Sequence, residues 1–187
     1  MLRTPHIPTR TYVLESDNAT FDSRVELWLA GFRAQNVVTT DEIVAAIDRV
    51  PNHQLEGLRG IVYDPERVTQ ELTPFPEPWR FRIKGAFFQS ERCVVVYDFE
   101  TKARFEHILY HEIGHYVYQY VLSSFRRKRW VTQLYPASRY VTKVASRNAS
   151  EDFAESYATF LCEPQRLLQI PKKHAFIRGD VFELRNP

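Results

Sequence analysis

"FEHILYHEIGHYVYQY", residues 105–120, is the stretch on which the reading of this chain turns. It holds no proline and a single glycine, Gly114, and the run from 102 to about 124 has the apolar spacing of a helix. On a helix, positions i and i+4 are neighbours, about 5–6 Å apart at Cβ. His111 and His115 therefore project side by side, and their ring nitrogens can both reach one tetrahedral ion at about 2.0–2.1 Å. Glu112 is rotated by one residue, badly placed to ligate and well placed to take a proton from water. His107 precedes His111 by one more turn, so the same face could also be polar and solvated. The apolar and aromatic flanks (Ile108, Leu109, Ile113, Tyr116, Val117, Tyr120) instead suggest a buried helix with one polar floor. Gly114 costs such a helix roughly 1 kcal/mol relative to Ala, which close packing against a neighbour would explain.

A catalytic zinc takes three protein ligands and keeps one open position. The extended pattern H-E-x-x-H-x-x-G-x-x-H is absent, since Tyr118 and Val121 stand where its glycine and third histidine would be. No histidine follows until His174, so a carboxylate on another element is expected to complete the set. "NASEDFAESYATFLCEP", residues 148–164, offers it. Glu151 and Glu155 are again i and i+4, and the small Ala154 and Ala158 would let this second helix approach the first. One glutamate can ligate, and the other can accept the free ring N–H of a ligating histidine. Asp152 lies off that line, as a helix N-terminal charge favoured by the dipole.

The rest of the chain sets bounds. With 187 residues, 44% apolar and 26% charged, it has the composition of a soluble globular protein with a sizeable core. A net charge of +2 is too small to imply a nucleic-acid or membrane partner for the whole chain. No apolar run approaches the roughly 18 residues of a membrane span, and no secretory h-region opens the chain, so a cytoplasmic protein without a membrane partner is expected, with export by a route that needs no N-terminal signal left open. Cys93 and Cys162 sit in apolar runs and read as buried thiols. Upstream, "RTYVLE" reads as a short strand. "FDSRVELWLAGFRAQ", residues 21–35, reads as a first helix on the spacing of Phe21, Val25, Trp28, Leu29 and Phe32. "TTDEIVAAIDRVP" reads as a second helix, capped by Thr40 and ended by Pro51. "LRGIVYD", "WRFRIKGAFFQ" and "RCVVVYDF" read as strands, with the four-proline "PERVTQELTPFPEPW" as a loop. Strands followed by helices give an α+β class rather than alternating βαβ units, in one domain over 1–187: an N-terminal helical portion to residue 50 and a catalytic core over 51–187. "RCVVVYDF", immediately before the histidine helix, is the expected sheet edge for an extended peptide. Residues 126–147 carry Arg126, Arg127, Lys128, Arg129, Arg139, Lys143 and Arg147 with no acid. They read as a solvated connection, a surface for a nucleic-acid backbone, or a wall facing substrate.

His111-Glu112-x-x-His115, followed by Glu151-Asp152-Phe153-Ala154-Glu155, resembles the gluzincin metallopeptidases. Within that group it is similar to the catalytic domains of anthrax lethal factor and the Pro-Pro endopeptidases, over roughly residues 45–164. The resemblance implies a zincin-like fold, a small mixed sheet packed on the two helices. It also implies Zn2+ on His111, His115 and Glu151, with Glu112 as general base and Glu155 supporting a ligating histidine. The implied activity is zinc metalloendopeptidase, with a peptide or protein substrate. A second resemblance, to the ImmA/IrrE-type metallopeptidases, rests on Glu151, Ala154, Tyr157, Ala158, Leu161 and Pro164; that group has a shorter stretch than the 35 residues between His115 and Glu151 here. Lethal-factor-like enzymes carry a tyrosine, thought to stabilise the oxyanion, seven residues before the glutamate ligand. Val144 stands there in this chain, which leaves Tyr140 as the nearest candidate for a catalytic tyrosine. The reading from another class is a non-catalytic or regulatory module on the same fold, linked to nucleic acid through Arg126, Arg127, Lys128 and Arg129.

Overall fold

A computed structural model describes residues 11–14, 26–67, 83–136 and 139–183. Most of the four-proline loop expected after residue 64, and the first half of "WRFRIKGAFFQ", lie outside the described residues. Five strands, β1 (Thr11–Leu14), β2 (Glu26–Ala30), β3 (Gly60–Tyr63), β4 (Gly85–Phe88) and β5 (Cys93–Val96), form one mixed sheet in the order β1-β2-β3-β5-β4. The first three pairings are parallel, and β4 pairs antiparallel with β5. With the helices that follow, the chain is of the α+β class.

The expected first helix over 21–35 is overturned where it is described, because residues 26–30 form β2. Leu27 and Leu29 are buried while Trp28 between them is exposed, the alternation of a strand, and parallel pairing on both sides satisfies the backbone. Gly31 then turns at a φ of 76°, which a continuing helix would not adopt. The portion before residue 51 is thus not simply helical: it contributes two strands as well as α1 (Thr40–Ile47). The cap of α1 is Thr39, not Thr40. The Thr39 hydroxyl accepts from the Glu42 N–H at 3.2 Å, and the Glu42 carboxylate accepts from the Thr39 N–H at 2.9 Å. Since β2 and β3 are parallel neighbours joined through α1, the fold also contains one βαβ unit that its class label hides.

The edge strand is a second correction. "CVVV" of β5 is buried at every residue and lies between β3 and β4, so it is interior. Among the described residues the edge beside the helices is β4.

Helix α2 (Lys102–Tyr116) packs on β4 and β5, and α4 (Ala149–Cys162) packs along α2. The connection between them contains a short helix, α3 (Ser124–Arg129), and a wider turn closed by the Tyr135 N–H on the Trp130 carbonyl. Two further helices follow, α5 (Pro164–Leu168) and α6 (Pro171–Phe176). Phe105, Leu109, Ile113, Trp130, Phe153, Tyr157 and Ile177 join Leu27, Ile47 and Val94 in one apolar core. Cys93 and Cys162 are not joined in a disulfide, and burial raises both thiols, to about 11 and about 12. No helix among the described residues is long and apolar enough to cross a membrane.

Candidate metal centre

Two caps and one glycine set the geometry. Thr101 caps α2, its hydroxyl accepting from the Arg104 N–H at 3.2 Å, and the Asn148 side chain caps α4 by accepting from the Glu151 N–H at 2.9 Å. Gly114 faces α4 so closely that a Cβ there would stand 2.9 Å from Ala154 Cα. This is the close packing that its cost implied. The two helices therefore lie backbone to backbone, and the side chains flanking that contact meet.

On α2, His107, His111 and His115 share one face, and Glu151 and Glu155 on α4 oppose it. The Nε2 atoms of His111 and His115 are 3.1 Å apart. Glu151 Oε2 lies 3.4 Å from His111 Nε2 and 3.8 Å from His115 Nε2. Donors each about 2.0–2.1 Å from a tetrahedral ion stand roughly 3.3–3.4 Å from one another. The three observed separations bracket that value, so a His-His-Glu triangle at metal-binding distance is present.

Each histidine is held from behind. His115 Nδ1 shares a 3.0 Å hydrogen bond with Ser150 Oγ. His111 Nδ1 lies 3.0 Å from Glu155 Oε1, at ion-pair distance, although the ring N–H does not point squarely at the oxygen. The other Glu155 oxygen faces His107 Nε2 at 3.5 Å. Sequence reasoning reached Glu155 but gave no role to Ser150 or His107. Their signals were present in the numbering, one residue before Glu151 and one helical turn before His111.

The electrostatics describe a pocket built around positive charge. Burial pulls His111 down, but the Glu151 and Glu155 carboxylates outweigh it and raise the ring to about 10. Burial and the charge on His111 lower His115 to about 4. Burial acts to raise Glu155, yet contact with His107 and His111 holds it below the usual carboxylate range. Glu151 is also lowered: burial opposes, and His111, His115 and Arg147 prevail. Glu112 goes the other way. It is buried, and burial raises it to about 7 against the pull of His111 and of the Phe87 backbone N–H.

Glu112, the two histidines and Glu151 line one open cleft of about 1250 Å³, with β4 on one side and residues 142–147 on the other. Val144 lines this cleft and Tyr140 does not. The Tyr140 hydroxyl donates to the Tyr135 carbonyl at 3.3 Å, and the Lys173 ammonium sits 4.8 Å from its ring. The phenol is thus engaged away from the histidines, and the role given to Tyr140 does not follow from this arrangement. The first part of the basic run is also engaged: Arg126 and Arg129 face Asp180, and Arg127 donates to the carbonyls of Gln119 and Leu122.

A buried ion pair was missed altogether. Lys173 Nζ lies 2.5 Å from Asp152 Oδ1, both side chains fully buried, and it also donates to the Arg139 carbonyl at 3.0 Å. Asp152 is therefore an anchor rather than a surface charge at a helix end.

The site is a potential metal centre of the two-histidine, one-carboxylate type, with a buried glutamate beside it. Compared with family models and with curated proteins, the chain matches none.

Proposed function

We propose that this protein is a zinc-dependent metalloendopeptidase with a zincin-like catalytic domain. The observation that carries the reading is the convergence of His111, His115 and Glu151 at tetrahedral spacing, with the buried Glu112 beside them in the same cleft. Two imidazoles and a carboxylate are a donor set suited to zinc. When bound, zinc supplies Lewis acidity, polarising a carbonyl and making water a nucleophile at neutral pH.

The remaining work falls to the chain's own groups. Ser150 and Glu155 hold the two imidazoles so that each presents Nε2 to the centre. Glu112, raised to about 7, is matched to accept a proton from water on a carboxylate oxygen and later deliver it to the leaving amine. Strand β4, which pairs on its outer side with no other described strand, would offer that side to an extended peptide beside Glu112.

The test has two readouts on the same preparations. The purified protein should hold about one zinc per chain, and Glu112→Gln should hold as much. Cleavage of a mixed peptide library should fall by the roughly 10²–10⁴ of a lost general base in Glu112→Gln. Absence of zinc after its addition, or equal cleavage by both proteins, would falsify the proposal.

A further inference from the structure

The cleft is walled by cations. Lys84 and Arg104 line it on the side of β4 and α2, and Lys143 and Arg147 line it on the opposite side. Among the described residues its acidic lining is Glu112, Glu151 and Glu155, all on the floor. Lys84 is neutralised by an ion pair with Asp98, with Glu100 at 3.5 Å. Arg104, Lys143 and Arg147 form no ion pair within 4.0 Å among the described residues, although the charge of Arg147 reaches Glu151.

A charged connection between helices is usually a loose, solvated one, and this one is not. Val141 and Ala145 of the same segment are buried. The Val141 carbonyl accepts from Arg166 at 2.5 Å, and the Arg139 carbonyl accepts from Lys173 at 3.0 Å. The Ala145 N–H is bonded to Thr142 Oγ1 at 3.1 Å. Lys143 and Arg147 thus project from a wall fixed at its back, into a cleft whose facing wall offers Arg104. Cations fixed in a concave site focus their field on what enters it.

From this arrangement we infer that the protein selects polypeptide segments with acidic side chains close to the bond placed over the histidines. The inference rests on the peptidase reading and adds the substrate class. Its reach can be stated. Arg104 precedes His111 by seven residues, about 10 Å along the helix axis, or roughly three residues of extended peptide. Aspartate or glutamate is therefore expected within about three residues of the scissile bond. Arg104, Lys143 and Arg147 set specificity in this scheme, and none of them takes part in the proton transfers.

Two experiments keep this inference separable from the peptidase reading. The zinc-loaded protein is given an unbiased peptide library, and the cleaved positions are scored for Asp and Glu within three residues on either side. Enrichment within that window is expected. Arg104→Glu combined with Lys143→Glu should lower kcat/KM for an acidic reporter peptide about tenfold relative to a neutral reporter. Cleavage sites with no acidic enrichment, or an unchanged acidic-to-neutral ratio in the double variant, would overturn it. The second experiment needs no catalysis. Zinc-loaded Glu112→Gln is titrated with fluorescent acidic, neutral and basic peptides of equal length at low and high salt. The acidic peptide should bind tightest, and its advantage should shrink with salt. Equal binding of all three overturns the inference, as does a single-stranded oligonucleotide that outcompetes the acidic peptide. Preferential acidic binding without any library cleavage supports the charge selection and sinks the peptidase reading alone.

Discussion

At the scale of single residues, the site separates two glutamates that the sequence presents as near equivalents. Glu151 Oε2 faces the Nε2 atoms of both His111 and His115, whereas Glu155 meets the far side of His111 and, with its other oxygen, His107. Glu151→Ala is expected to abolish stable zinc binding. Glu155→Ala should weaken affinity by the 10–100-fold typical of a supporting partner, and Ser150→Ala by about tenfold. Competition with a chelator measures all three. Retention of metal by Glu151→Ala with loss in Glu155→Ala would reverse the assignment. The histidines, Glu112 and both glutamates were legible because their spacing maps directly onto helix faces. Ser150 was not, since a serine in the first turn of a helix normally signals capping, and here Asn148 has taken that role.

At the scale of elements, the contact between α2 and α4 decides whether the triangle exists. Gly114→Ala would gain about 1 kcal/mol of helix propensity and must force Ala154 backbone away, an overpacking cost of about 1–3 kcal/mol. We expect a lower Tm, about 2–4 °C per kcal/mol lost, together with weaker zinc binding because Glu151 moves with α4. A raised Tm with unaltered zinc affinity would show that the helices have slack at this point. Two elements were misread in the sequence, for different reasons. Residues 26–30 satisfy a helical spacing and an alternating one at once, and only pairing with β1 and β3 decides between them. The "CVVV" run, by contrast, did carry the answer: an unbroken apolar run marks a strand buried on both faces, hence an interior one. "GAFF" is half-buried throughout, as the last described strand of the sheet.

At the scale of the whole molecule, the Asp152–Lys173 pair makes stability depend on pH. Burial raises Asp152 to about 6 despite the pull of Lys173, and burial lowers Lys173 despite Asp152. The ordinary aspartate value is about 3.9. The folded chain therefore holds the Asp152 proton more tightly than the unfolded one. That contribution is full below about pH 4 and is lost as pH rises through about 6. Lys173 acts at the alkaline end, where stability is gained as its proton leaves. Denaturant unfolding of the wild type and of Asp152→Asn combined with Lys173→Met, compared from pH 4 to 7, isolates the effect. The wild type should lose stability relative to the double variant between pH 4 and 6. A relative gain over that range would mean that the ion pair outweighs its burial. Neither partner announces this in the sequence, because a lysine in a charged tail and an aspartate in a first helical turn are both ordinary at a surface.

The anchor on Lys173 also bears on the order in which the molecule can be made. A ribosome releases His111, His115 and Glu151 before Lys173, so the metal triangle can assemble while the wall behind Lys143 and Arg147 still lacks its fastening to residue 173. The residues of the triangle thus precede, along the chain, the one that fastens this wall.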